Sequence, residues 1–166
     1  MIPARGGIGA GVAGIERDPE TLLPVVADEA LASAAAAGDA GDRVVVLLAR
    51  GDYVAAGELV AEARLADPQD LRLRMLDADV VRASGDPHRA ITRLRGLLEE
   101  FAGTDREADL HELLGVLHHT THDHLAAAHR FRRTVDLRIA HGEGPEAVEA
   151  TRRLLRAAER RAGGVR

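Results

Sequence analysis

Two stretches of this chain can be laid over each other. LLARGDYVAAGELVAEARLADP begins at Leu47 and VVRASGDPHRAITRLRGLLEEF at Val80, with Gly51 over Gly85, Asp52 over Asp86, Ala56 over Ala90, Val60 over Leu94 and Ala63 over Leu97, each pair 34 residues apart. A third copy, LLGVLHHTTHDHLAAAHRFRRTV from Leu113, carries Asp123, Ala127, Phe131 and Thr134 at the same places, offset by 37 residues, which puts an insertion near Gly103. A fixed period of this length means stacked units, each too small to bury its apolar face alone.

The unit follows from local physics. Asp52 and Asp86 come directly after a glycine and before an apolar-periodic run, the signature of a tight turn followed by a helix N-cap. Tyr53, Ala56, Val60 and Ala63 then recur at helical spacing and form one face. Ala56, Ala90 and Ala127 stay small in all three copies, which lets a facing helix come close. Asp67-Pro68 ends the first unit, because the residue before a proline is driven out of helical geometry.

Residues Leu47 to Asp70, with Gly51, Asp52, Tyr53, Ala56, Ala63 and the Asp67-Pro68 ending, resemble a tetratricopeptide repeat. Residues 71–102 resemble a second copy and 108–138 a more divergent third, so the likeness spans about 100 residues. Pro87 stands where the family has an aromatic, His122 replaces the turn glycine of the third copy, and only Leu114-Gly115 keeps the leucine-glycine pair of the first helix. The resemblance implies an all-α fold of antiparallel helix-turn-helix repeats, stacked as a short right-handed solenoid over residues 18–141. It also implies a groove, lined by the first helix of each pair, that binds a peptide or protein segment.

The flanks extend this division. Residues 1–17 read as a flexible glycine-rich arm. Residues 18–37 read as an extra helix or a degenerate preceding copy. After the break at Gly142 to Gly144, residues 142–166 form a capping helix opened by Pro145, with Arg152, Arg153, Arg156 and Arg160 as a basic stripe. Gly9, Gly11 and Gly14 do match the G-x-G-x-x-G spacing of dinucleotide sites. That motif needs a strand before it and a helix after it. Here only MIPAR precedes the cluster, and Pro19 and Pro24 fall where the phosphate-binding helix should be continuing.

Composition excludes several functions. Without cysteine there are no disulfides or thiolate sites. All 22 basic residues are arginine, as expected from the coding bias of a GC-rich bacterial genome. Residues 1–70 hold 5 arginines against 12 acids, net −7, and residues 71–166 hold 17 against 15, net +2; neither half predicts nucleic-acid binding. No apolar run approaches the roughly 18 residues of a membrane span, and the N-terminus lacks a leucine-rich core and cleavage site, so a cytoplasmic location is expected. Ser33 and Ser84 are the only serines, and no motif pairs the carboxylates or histidines, so neither an enzyme nor a cofactor is expected.

By alignment the groove draws Arg72, Met75, Asp79 and Arg82 from one helix and Asp109, Glu112, Val116 and His119 from the next. The lysines and asparagines that capture a peptide carboxylate in some relatives are missing. Asp79 and Glu112 favour a basic or amphipathic protein segment instead. The chain therefore reads as an adaptor, co-chaperone or regulatory scaffold. A self-associating assembly component is the alternative, and a histidine-rich metal-binding helical domain a second. For the last, His118, His122 and His124 in HHTTHDH are the candidate ligands, with His111 and His129 nearby. The repeat alignment places a turn between His118 and His122, and the resemblance implies that His111 and His118 stand where the family packs bulky side chains between helices, which makes core histidines the expected outcome and a metal the exception.

Overall fold

The computed structural model describes residues 11–164. It is mostly helical, with eight α-helices among the described residues and one short antiparallel hairpin before them. Strand β1 (Ile15–Arg17) pairs with β2 (Pro24–Val26), Ile15 opposite Val26 and Arg17 opposite Pro24. The helices are α1 (Glu29–Ala35), α2 (Ala40–Arg50), α3 (Tyr53–Ala66), α4 (Leu71–Ala83), α5 (Pro87–Glu100), α6 (Glu107–Thr120), α7 (His124–Ala140) and α8 (Pro145–Gly163).

Turn chemistry sets these boundaries. Asp52, Asp86 and Asp123 are the N-caps of α3, α5 and α7, their carboxylates accepting from the backbone N–H of Ala55, Arg89 and Ala126. In front of these caps the chain turns through left-handed geometry, at Gly51 (φ 77°), at Gly85 (φ 100°) and in the third copy at His122 (φ 62°). A side chain held there costs about 1 kcal/mol, so the turn is imposed by the packing of α6 on α7 rather than by its residue. Ala56, Ala90 and Ala127, the small position of each copy, are fully buried.

Each helix packs on the next along the chain, and α2 also touches α4, as α4 touches α6, so these three share one side. Three apolar clusters follow the row: Val44, Val45, Val60 and Leu76 at one end, Leu94, Leu110, Leu114 and Leu117 in the middle, and Val116, Phe131, Leu154 and Ala158 at the other. Helix α8 buries Val148, Thr151, Leu154, Ala157 and Ala158 and leaves Arg152, Arg153, Arg156 and Arg160 exposed.

The N-terminal region departs from expectation. Residues 1–10 of the expected arm, with Gly9 of the glycine motif, lie outside the described residues. Residues 11–17 are ordered by packing: Val12 and Ile15 are buried in the first cluster. Gly14 has φ +77°, its carbonyl accepts from Ala27 and Asp28, and a Cβ on it would collide with the Asp28 carbonyl. That glycine therefore serves a close backbone approach, and a strand rather than a phosphate-binding helix comes after it. Residues 18–37 form no full preceding repeat. Asp18 closes a turn by accepting from the N–H groups of Glu20 and Thr21, and Pro24 opens β2, which leaves room only for the seven residues of α1.

Candidate functional site

The residues expected to line an open groove are mostly covered. Met75, Asp79, Glu112, Val116 and His119 are all buried. Asp79 is satisfied within α4, accepting from Arg82 Nε at 2.6 Å. Arg72 is spent on Asp39 and Asp42 across to α2, at 3.1 and 2.5 Å. The acids that suggested a basic partner are thus neutralised inside the protein.

The cover over α6 is the N-terminal hairpin. Arg17 on β1 reaches Glu112 at 3.4 Å and donates to the Leu22 carbonyl at 2.9 Å. His119 Nε2 lies 2.8 Å from the Glu20 carbonyl. Leu22, 2% exposed, joins Val116, Phe131 and Leu154 in the last cluster. At its other end the hairpin adds Val12, Ile15 and Val26 to the cluster around α2. Burying one leucine in this way is worth about 2 kcal/mol, which matters because a two-stranded hairpin is marginal alone.

Beneath it lies a charge network that the repeat register does not reveal. Arg138 on α7 is 1% exposed and lies 2.7 Å from Glu112, 3.3 Å from Asp109 and 3.5 Å from Glu143. It also donates to Thr151 Oγ1 and, at 3.3 Å, to the Ala147 carbonyl. Burial opposes its charge, but Glu112, Asp109 and Glu143 outweigh that and raise its pKa above the ordinary arginine value. Asp109 is shifted up, first by burial and then by the carboxylates of Glu112 and Glu143, against the pull of Arg138. Glu112 joins Arg138 to Arg17 and so ties the hairpin to α7. One signal in the sequence could have found Arg138: it continues the apolar register of Ala127, Phe131 and Thr134 along α7, and an arginine there must bury itself among acids.

The histidines fall into separate groups, with His111 and His118 each facing a carboxylate and His119, His122 and His124 around the α6–α7 turn. His111 is buried between Glu107 Oε1 (3.4 Å) and Arg130 (3.3 Å), and burial, helped by Arg130, pushes its pKa down to about 4. His118 faces Asp123 at 3.6 Å and is also lowered, chiefly by burial. His119 and His124 meet Nδ1 to Nδ1 at 3.2 Å. Because a carbonyl can only accept, His119 carries a hydrogen on Nε2 and donates it to Glu20. Burial and then His119 lower His124. His122 sits in the turn, its ring 5.8 Å from that of His124. Among the described residues no three such side chains are placed to hold a metal ion; of the candidate ligands, His122 and His124 lie against each other while His118 faces Asp123.

A cleft of about 670 Å³ lies between the hairpin and α8. Leu22, Leu154 and Ala157 supply its buried apolar wall, with the Glu112–Arg138 pair beside them; Arg153, Arg156 and Arg160 supply its exposed lip on α8. Glu16 and Asp18 stand on the hairpin side. Its volume suits a few side chains or a small ligand.

These features define a mostly helical protein of successively packed helices, with an N-terminal hairpin that packs on α2 and seats its turn against α6, α7 and α8. No protein-family model, curated protein or solved structure matches the chain. No helix among the described residues is long and apolar enough to cross a membrane.

Proposed function

We propose that this chain is a tetratricopeptide-like interaction module that holds a segment of a partner protein in the cleft between its hairpin and α8. One observation carries the reading. The side of the molecule where a repeat scaffold would take its ligand already receives a segment of chain, the turn of the hairpin, with a side-chain-to-backbone contact from His119 to Glu20 and a buried anchor in Leu22. Recognition of peptides by scaffolds uses the same two elements, polar contact to main chain and a pocket for a side chain. An open cleft adjoins that segment, and Leu22, Glu112 and Leu154 belong to both.

Affinity capture from the source cell tests this, with wild type beside Ala150→Trp, whose indole would occupy the cleft from α8. A partner retained by wild type and lost by the variant, at unchanged melting temperature, is the expected result. Identical captured proteins, or only further copies of the chain, would overturn the reading, and the second of these would favour an assembly component.

A further inference from the structure

We infer that the cleft selects an acidic partner segment, one that lays carboxylates along Arg153, Arg156 and Arg160 and inserts an apolar side chain against Leu22, Leu154 and Ala157. This rests on the reading that the cleft takes a protein segment, and it reverses the charge preference that Asp79 and Glu112 suggest in the sequence.

The charge inventory points this way. Five arginines and three carboxylates line the cleft. Arg138 and Arg17 are already committed to Glu112, and Asp18 to its own turn. Arg156 is shared with Glu149 at 2.6 Å. Arg153 and Arg160 make no ion pair among the described residues, although both stand on the lip. Residues 153, 156 and 160 fall on one face of α8 and span about 10 Å at 1.5 Å per residue. That length matches acids one or two turns apart on a partner helix, or three residues apart on an extended segment.

Arginine also suits carboxylates by geometry, since its planar fork can give two parallel hydrogen bonds to one acid. Glu16 on the opposite side repels an acid there, so the partner's charges are confined to the α8 lip and its orientation is fixed. A nucleic acid fits less well. No aromatic side chain lines the cleft to stack on a base, and the apolar wall of Leu22, Leu154 and Ala157 offers nothing to a phosphate backbone.

A phage-displayed library of random peptides, selected on the immobilised full chain, provides the test. Selected peptides are expected to carry two or more Asp or Glu around a Leu, Ile or Phe. They should lose affinity at least about tenfold on Arg153→Glu/Arg160→Glu, and weaken markedly between about 50 and 300 mM salt. Both arginines are exposed, so the double variant should melt as wild type does. Basic or uncharged selected sequences, or acidic ones that bind the double variant equally well, would overturn the inference. So would peptides that tolerate replacing their apolar residue by Ser, because plain surface attraction would then suffice. If the Ala150→Trp capture succeeds while these peptides fail, the partner-binding reading stands and the acidic preference falls.

Discussion

Arg138 is the residue whose role is largest and whose sequence context hints at it least. Three carboxylates surround it, so replacing it by methionine leaves the buried Glu112 with only the Arg17 cation and brings it up against the half-buried Asp109 and Glu143. Breaking a buried pair by removing one partner typically costs 3–5 kcal/mol, and urea unfolding of Arg138→Met should show a loss of about that size. Glu112→Arg, which would put a third guanidinium beside Arg17 and Arg138, should abolish cooperative folding rather than report on a partner. His111 makes a separate prediction. Its folded pKa of about 4 lies below the ordinary 6.5, so on acidification the unfolded chain takes up the proton first. Its contribution is complete above pH about 6.5 and is lost progressively as pH falls toward about 4. Stability should therefore decline between pH about 7 and 5, before most carboxylates titrate, and His111→Leu should flatten part of that decline in urea midpoints taken across the range. The inward setting of His111 and His118 was legible, because the resemblance to the repeat puts them where bulky side chains pack between helices. The acids around Arg138 were not: Asp109 and Glu112 lie on another helix, and no local pattern records which elements meet.

At the level of elements, caps and turns were the most legible features. Asp52, Asp86 and Asp123 cap their helices because each needs only its own next three residues to do so. His122 shows the limit, since it copies the geometry of Gly51 and Gly85 without their residue type. His122→Gly should raise stability by up to about 1 kcal/mol by relieving the left-handed side chain, and thermal melts will register it as a rise. Gly115 makes the opposite case. Alanine is the better helix former by about 1 kcal/mol, but a Cβ there would sit 2.5 Å from the buried Phe131 ring. Overpacking of that kind costs typically 1–3 kcal/mol, so Gly115→Ala should destabilise. The hairpin could not be read from propensity. Strands of three residues give too short an alternation to detect, and what holds them is packing on α2, α6 and α8, far along the chain.

For the whole molecule, the repeat period foretold a row of packed helices, while the segment laid across it came from residues that carry no repeat. Covering changes the meaning of the expected groove: Asp79, Glu112 and His119 hold the fold together, and the accessible surface moves to the arginine lip of α8. The hairpin should also be the least stable part. In Leu22→Ala, amide hydrogen exchange at Asp18 and Leu22, whose N–H groups bond within the hairpin turn, should quicken well before the helices respond, because opening the turn needs only its contacts with α6, α7 and α8 to be lost. A uniform change across all helices would show instead that the hairpin belongs to the same cooperative unit. The central claim, that the cleft between hairpin and α8 holds a segment of another protein, is tested most directly by a photo-crosslinking amino acid at Ala150 of the full chain in its source cell. Mass spectrometry of the adducts is predicted to show a segment of a different protein joined at that position. Adducts confined to this chain's own hairpin, or to a second copy of it, would contradict the account.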